Sequence, residues 1–245
     1  MNAFDLHILR FFDTFSGSYP SVDFWISVLA DSDLFKGYVV MAFVWGIWFL
    51  PTSSAADLAR QREYLTATLI GCLVALIVAR GLAMVLPFRP RPFGTPEFEH
   101  NFALGRAQRG LDKWTSFPSD HATLFAALAA GLWLASRRTG WLLCTYVMAV
   151  VLLPRLYLGM HYPTDILGGI VIGVAIAWLV NSERLRPMIA GPLTGWRTSS
   201  PASFYACAFL LTSQIAVLFT PVRHLAGLAA SFVSGQMDTA LAGRP

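Results

Sequence analysis

Six long apolar segments divide the sequence and constrain its fold more than any other feature. They lie at about 34–50, 64–86, 120–136, 140–158, 164–181 and 203–220. A helix needs about 20 apolar residues to cross a bilayer, and these segments are close to that length. Only 13% of the residues are charged, against about 25% in an average soluble protein. The sequence therefore predicts an all-α integral membrane protein built as a six-transmembrane-helix bundle.

The residues before the first span predict short helical segments at the membrane surface. Residues 4–15 are typical of an amphipathic helix that lies at the interface. Charges within this stretch, beginning with Asp5, separate it from a signal peptide, which has a longer apolar region. Residues 22–30 are apolar but short, and we interpret them as interfacial or partly re-entrant.

The sequence indicates one membrane-embedded domain over residues 1–245, with its polar motifs between about 80 and 170. Three prolines predict that residues 187–202 form a linker before the last span. The tail after Pro221 is expected to be either a partial amphipathic helix or flexible. The net charge of +4 is modest and no basic run reaches five residues, so no nucleic-acid partner is indicated.

Basic residues are concentrated in three short connections between the predicted spans. With six spans these connections share one side of the membrane, and the positive-inside rule assigns that side to the cytoplasm. Both termini and the long 87–119 loop would then face outward. The loop also carries Arg106, Arg109 and Lys113. The basic residues of the short connections are Arg60, Arg62, Arg137, Arg138, Arg184, Arg186 and Arg197.

Three polar segments interrupt the apolar pattern on the predicted outward face. The first is Phe-Arg-Pro-Arg-Pro-Phe at 88–93, after the second span, and the second is Ser-Phe-Pro-Ser-Asp-His at 116–121, at the start of the third. The third runs from Arg155 to Asp165 and joins the fourth span to the fifth. Their shared position predicts that they form one site.

Several residues in these segments are suited to bind an anion. Arg89, Arg91 and Arg155 carry planar forks of N–H donors that match phosphate oxygens. Ser119 precedes a predicted helix and is a natural N-cap. Pro163 opens the next helix. Free N–H groups at the two helix N-termini also favour an anion.

Two histidines accompany these cationic groups. His161 lies four residues before Asp165, a spacing that can place the carboxylate against the imidazole, where it fixes the tautomer. A nucleophilic histidine needs such support. His121 follows Asp120, whose charge would help to keep the imidazole protonated as a general acid requires.

These motifs resemble the signature of the type 2 phosphatidic acid phosphatase superfamily, whose parts read here Arg89-Pro90-Arg91-Pro92, Pro118-Ser119-Asp120-His121 and Arg155 with His161 and Asp165. The resemblance implies a phosphatase in which His161 attacks phosphorus and forms a phosphohistidine. Asp165 would orient His161, and His121 would protonate the leaving oxygen. Phosphate would be bound by Arg91, Arg155 and Ser119, with Arg89 as a helper. The family implies no metal and no cofactor.

Two departures from the family pattern bear on the substrate. Met84 stands where the family often has Lys, and Arg80, one helical turn inward, could reach the site in its place. Asp120 stands where Gly is usual, and its charge would repel phosphate unless it faced His121 or an arginine. The segments at 117–122 and 161–169 resemble the bacitracin-resistance type of undecaprenyl-diphosphatase.

The resemblance thus implies hydrolysis of a lipid phosphate, with undecaprenyl diphosphate favoured, at the periplasmic face of a bacterial inner membrane. The partners implied are the lipid substrate and membrane lipids. The sequence leaves open a phosphatase or phosphotransferase for phosphatidate, phosphatidylglycerophosphate or lipid A. A non-catalytic lipid-binding or transport protein is the alternative of another class, although two histidines exceed what binding alone requires.

Overall fold

The computed structural model of the chain describes residues 2–98, 114–222, 224, 225 and 228, and every regular element in this part of the chain is helical. Two short 3₁₀ turns, Pro92–Gly94 and Pro96–Phe98, follow the fourth helix. The nine longer helices among the described residues are α1 Ala3–Phe15, α2 Pro20–Asp31, α3 Leu34–Phe49, α4 Ala55–Val85, α5 Asp120–Ala135, α6 Arg137–Tyr157, α7 Pro163–Val180, α8 Leu185–Ser199 and α9 Pro201–Ala216.

Three of these helices, α4, α6 and α7, are long and apolar enough to cross a membrane, and α3 and α5 are shorter apolar helices. At 1.5 Å per residue, the 31 residues of α4 extend over about 46 Å, beyond the roughly 30 Å hydrocarbon core. The chain is therefore a helical membrane protein. The count of six spans stays a prediction.

Helix α5 lies at the centre of the bundle, between α4 and α7. Glycines allow the close approach of α5 to α7, because a Cβ atom at Gly173 would lie 2.2 Å from the carbonyl oxygen of Thr123. At Gly169 it would lie 2.8 Å from the Cβ of Ala122. Small residues with this role are typical of helix packing in lipid. Tight packing fixes the first turns of both helices, where the polar motifs lie.

The polar motifs and the basic connections lie at opposite ends of the central helices. Helix α5 begins beside Arg80, near the end of α4, and Gly131 near its other end contacts Thr68 of α4. Helix α6 begins at Arg137 and carries Arg155 in its last turn. At the end remote from the motifs, Arg186 approaches Glu63 at 3.6 Å. One end of the bundle is thus separated from the other by the apolar helices.

Two predictions about connecting segments need correction or refinement. The prediction of a linker at 187–202 was wrong, because α8 covers most of this segment and contains Pro192. Packing of this helix outweighs its poor helix propensity, since Ala190 is fully buried and the Arg186 guanidinium lies 4.2 Å from the centre of the Tyr64 ring. Residues 22–30 fall within helix α2. The basic residues Arg106, Arg109 and Lys113 and most of the tail after Pro221 lie outside the described residues.

Helix α1 occupies the stretch predicted to be amphipathic, and its interfacial position stays a prediction. Asn2 caps the helix by accepting from the backbone N–H of Asp5 at 2.7 Å. The helix buries Leu9 and, unexpectedly, the Asp5 carboxylate, which is fully inaccessible to solvent. A buried carboxylate requires compensating partners. Helix α1 is therefore anchored to the protein by its polar residue as well as by apolar contacts.

Candidate active site

The three polar motifs meet around a cavity of about 160 Å³ at one end of the bundle. A single water needs only about 10–15 Å³, so the cavity has room for a larger polar group. Helices α2 and α3 and the segment after α9 also contribute to its wall, through Ala30, Lys36 and Leu218 respectively. The ionisable side chains on the wall are Asp31, Lys36, Arg80, Arg91, Asp120, His121, Arg155 and His161.

His161 lies in the short connection between α6 and α7, with its imidazole buried against the motif that precedes α5. The turn is permitted by Gly159, whose φ is +63°. Nδ1 lies 2.9 Å from the carbonyl oxygen of Ser116, and Nε2 lies 3.2 Å from Nη1 of Arg91. A carbonyl only accepts and a guanidinium only donates. The proton is therefore on Nδ1, and the Nε2 lone pair accepts from Arg91, which lines the cavity with His161.

Burial lowers the pKa of His161 below its ordinary value of 6.5. The charges of Arg91 and Arg155 lower this pKa further, whereas Asp165 opposes the shift. The imidazole is consequently neutral at pH 7. A neutral imidazole with an unprotonated Nε2 has the protonation state that a nucleophile or base requires.

Asp165 supports this arrangement without a direct hydrogen bond to the imidazole. Its Oδ2 lies 3.6 Å from Nδ1 of His161, too far for a hydrogen bond. The same oxygen accepts from the Ser116 hydroxyl at 2.7 Å and from the Tyr162 backbone N–H at 2.8 Å. The expectation that Asp165 itself fixes the tautomer needs correction, because the Ser116 carbonyl holds the Nδ1 proton.

Arg91 and Arg155 place guanidinium groups on the cavity wall. Arg91 donates to the backbone carbonyl of Met160 at 2.9 Å. Burial lowers the pKa of Arg91 from its ordinary value, while the nearby carboxylates of Asp120 and Asp165 oppose that change. Arg155 is 2% exposed and donates to the carbonyls of Val151 and Ala30. Backbone carbonyls thus orient both forks, as preorganised binding of a phosphoryl group requires.

His121 lines the cavity in the first turn of α5, with its ring 6.2 Å from that of Phe125. The predicted support from Asp120 needs correction, because Asp120 forms an ion pair with Arg80. This pair also accounts for a carboxylate at the rim of a cationic cavity. The Arg80 guanidinium lies 5.2 Å from the centre of the Trp114 ring. Met84, by contrast, is 80% exposed and does not line the cavity.

Arg89 and Ser119 are not among the residues that line the cavity, and their contact with phosphate stays a prediction. Arg89 donates to Asp165 Oδ1 at 2.5 Å and to Asp5 Oδ2 at 2.7 Å, which satisfies both ends of its fork. Ser119 is fully buried and caps α5, its hydroxyl lying 3.4 Å from the backbone N–H of Ala122. Both residues support neighbours that shape the cavity.

No role was predicted for four residues near the site, although Ser116 and Thr164 lie within the predicted motifs. Asp5 accepts from the backbone N–H of Thr164 at 2.9 Å and from its hydroxyl at 2.7 Å. These bonds tie α1 to the first turn of α7. Ser116 joins His161 to Asp165, and Lys36 lies on the cavity wall. Two features of the sequence could have indicated these contacts: the acidic Asp5 in an amphipathic helix and the cation Lys36 at the start of an apolar span.

Comparison with the sequence models of protein families shows which family the chain belongs to. Residues 64–186, half of the chain, match the sequence model of the PAP2 superfamily. The chain belongs to the PAP2 superfamily. The match contains every motif residue on the cavity wall and ends at the first turn of α8. Lys36, which comes from α3, lies outside the matched PAP2 region.

Curated relatives of this PAP2 protein include bacterial lipid phosphatases. The undecaprenyl-diphosphatase BcrC of Bacillus subtilis is 28% identical over 157 residues, which cover 62% of this chain and 74% of the relative. The bacitracin transport permease protein BcrC of Bacillus licheniformis is 40% identical over 65 residues, 26% of this chain and 32% of the relative. The decaprenylphosphoryl-5-phosphoribose phosphatase of Mycobacterium tuberculosis is 39% identical over 67 residues, 27% and 36% respectively.

No solved structure is significantly similar to the chain. Family membership and these relatives make the protein a phosphatase, a hydrolase of phosphoric esters. Its substrate and mechanism must be argued from the cavity. Within the described residues, no cluster of three or more His, Cys, Asp or Glu side chains could hold a metal ion.

Proposed function

We propose that this protein hydrolyses undecaprenyl diphosphate to undecaprenyl phosphate through a phosphohistidine formed on Nε2 of His161. One observation carries the proposal. The Nδ1 proton of His161 is directed to the Ser116 carbonyl while its Nε2 atom faces Arg91 in a cationic cavity. A phosphoryl group that replaces the Arg91–Nε2 contact would meet a lone pair and a guanidinium at the same position.

In the first step, Nε2 of His161 attacks the terminal phosphorus, and the bond from this phosphorus to the bridging oxygen breaks. The leaving oxygen takes a proton from His121 and departs as undecaprenyl phosphate. Because Asp120 is paired with Arg80, the negative charge of the bound substrate must favour the protonated form of His121. Arg91 and Arg155 balance the charge on the equatorial oxygens.

In the second step, water attacks the phosphohistidine and His121 accepts its proton. The P–N bond breaks, inorganic phosphate is released, and His161 returns to its neutral form. The phosphorylated imidazole carries a positive charge while Nδ1 stays protonated. Asp165, 3.6 Å from Nδ1, stabilises that cation through space. The same residues therefore serve both steps.

The diphosphate is favoured over other lipid phosphates by charge and by relatedness. Four cationic side chains line the cavity with two carboxylates, namely Lys36, Arg80, Arg91, Arg155, Asp31 and Asp120. An excess of positive charge suits a substrate with more than one phosphate. The Bacillus subtilis relative is named an undecaprenyl-diphosphatase. The mycobacterial relative is named a decaprenylphosphoryl-5-phosphoribose phosphatase, which makes a phosphate ester on a polyprenyl-linked sugar the second candidate.

The site is proposed to face the periplasm across a bacterial inner membrane. The cavity is at the end of the bundle remote from Arg60, Arg62 and Arg137, and the positive-inside rule assigns those arginines to the cytoplasm. In this arrangement α3, α4, α5, α6, α7 and α9 would form six spans. Residues at the apolar surface of the bundle would contact lipid.

A turnover panel with purified protein tests the substrate assignment. Undecaprenyl diphosphate, phosphatidate, phosphatidylglycerophosphate, lipid A and decaprenylphosphoryl-5-phosphoribose would be compared at equal concentration in one detergent. The proposal predicts the highest kcat/KM for undecaprenyl diphosphate. Higher kcat/KM for a monophosphate lipid would reject it, and phosphate transfer to an added acceptor lipid would identify a phosphotransferase. Absence of turnover for all lipids would favour a binding or transport protein.

A further inference from the structure

Lys36 is a cation of the cavity that the motifs do not include. Its side chain is 14% exposed and lines the same cavity as His121 and His161. The ammonium group donates to the Asp33 carboxylate at 2.9 Å and to the Asp31 carbonyl at 3.1 Å. An ammonium has three donors, and no further acceptor is found among the described residues. One N–H is thus left for an anion in the cavity.

The backbone around Lys36 is held in place by unusual local structure. Residues Leu34–Tyr38 form a π-helical turn at the start of α3. Beside Lys36, Gly37 packs so closely on α9 that a Cβ atom would lie 1.9 Å from the carbonyl oxygen of Ala216. A π-helical turn inside a helix often marks a functional position. Here it fixes the point from which the Lys36 side chain enters the cavity.

Lys36 shares the cavity wall with both proposed catalytic histidines. Arg91 contacts Nε2 of His161 at 3.2 Å, where the terminal phosphate would be bound. Lys36 is held instead at the Asp31 carbonyl and the Asp33 carboxylate, so it is available to a second phosphate in the same cavity. In the proposed reaction His161 attacks the terminal phosphate and His121 protonates the bridging oxygen. That oxygen remains attached to the second, lipid-linked phosphate of a diphosphate substrate.

We propose that Lys36 binds the lipid-linked phosphate and is the residue that selects diphosphate over monophosphate lipids. The inference rests on the proposed diphosphatase function and adds a subsite to it. Asp33 does not prevent this role, because its side chain is 46% exposed and such ion pairs are weak in water. Arg80, the remaining cation on the cavity wall, forms an ion pair with Asp120 and lies beside Trp114.

The role of Lys36 is tested with farnesyl diphosphate as a soluble polyprenyl diphosphate and with inorganic phosphate as a product that fills only the position at His161. For Lys36→Met we expect kcat/KM for farnesyl diphosphate to fall roughly 10- to 100-fold, as for loss of a charge-assisted hydrogen bond. The inhibition constant of inorganic phosphate should change less than about 3-fold, because Arg91 and Arg155 remain. Lys36→Arg should restore most of the activity.

Asp33→Asn is the matched control, because it removes the ion pair and retains the cation. It should keep kcat/KM within about 3-fold of the wild-type value, and thermal unfolding in detergent should show that all variants are folded. Unchanged kcat/KM in Lys36→Met, an equal loss in Asp33→Asn, or an equal rise in the phosphate inhibition constant would overturn the role of Lys36. If the wild type hydrolysed phosphatidate but not farnesyl diphosphate, the proposed diphosphatase function would be overturned, and the role of Lys36 with it.

Discussion

His161 donates its Nδ1 proton to the backbone carbonyl of Ser116 at 2.9 Å, whereas the carboxylate of Asp165 lies 3.6 Å away. The tautomer of the proposed nucleophile is thus set by the main chain, and the acidic side chain supplies charge. This division of roles separates two effects that a carboxylate bonded directly to an imidazole would combine. It also determines how variants at Asp165 should behave.

Asp165→Asn should therefore be a milder change than in sites where the carboxylate itself fixes the tautomer. A loss of about 10⁴ in kcat accompanies the wrong tautomer, but here the Ser116 carbonyl remains. We expect kcat to fall about 10²-fold through lost stabilisation of the imidazolium. In steady-state kinetics, Ser116→Ala should lose less kcat than Asp165→Asn, because Ser116→Ala keeps both the backbone carbonyl and the Asp165 charge. A fall of 10⁴ in Asp165→Asn would mean that Asp165 sets the tautomer.

The pH profile of kcat/KM should reflect the lowered pKa of His161. Below this pKa the imidazole is protonated and has no lone pair, so activity is lost as pH falls through it. The acid limb should therefore have its midpoint below 6.5. Asp165→Asn should move the midpoint to lower pH, because the Asp165 charge raises the pKa of His161. A shift to higher pH would contradict the assignment of that limb to His161.

Asp5→Asn should destabilise the protein although Asp5 is remote in sequence from every motif. Its fully buried carboxylate pairs with Arg89 and accepts two hydrogen bonds from Thr164. Removal of one partner of a buried pair costs about 3 kcal/mol, which corresponds to a fall in Tm of roughly 5–10 °C for a chain of this size. Thermal unfolding in detergent would measure it.

The matched control for Asp5→Asn is Asp57→Asn, at the exposed first turn of α4. Its carboxylate only accepts from the Ser54 hydroxyl at the helix end, so we expect a Tm within about 3 °C of the wild type. Equal Tm changes in the two variants would show that the Asp5 network does not hold α1 to the site.

Gly173→Ala should disrupt the packing that positions both proposed catalytic histidines. The added Cβ would lie 2.2 Å from a backbone oxygen of α5, which cannot move without separation of α5 from α7. We expect a cost of at least about 1–3 kcal/mol together with lost activity. Gly191→Ala in α8 meets no atom within 4 Å and should be neutral or slightly stabilising. Similar Tm and kcat in both variants would contradict the packing argument.

The sequence predicted the grouping of the polar motifs better than the contacts between them. Apolar length and motif order were enough to expect His121, His161, Arg91 and Arg155 at one end of a helical bundle, because spans of this kind alternate in direction. They could not show that Arg89 is oriented by its bonds to Asp165 and Asp5. That orientation depends on Asp5, which is 84 residues away along the chain.

The helix at 185–199 and the role of Lys36 were also beyond local patterns. Prolines and glycines predicted a linker, whereas burial of Ala190 and contacts of Arg186 with Glu63 and Tyr64 stabilise a helix. A lysine at the start of an apolar segment is usually a residue that reaches the membrane surface. Only the three-dimensional structure places it beside the proposed active-site residues.

The central claim, that His161 is the phosphorylated nucleophile, is tested most directly by rapid-quench labelling. Purified protein would be mixed with polyprenyl diphosphate labelled with ³²P in the terminal phosphate, quenched in base and digested for peptide mapping. We predict base-stable, acid-labile label on the peptide that contains His161 in the wild type, and no label with residual hydrolysis near background in His161→Ala. Label on another residue, or equal hydrolysis by both proteins, would contradict the account.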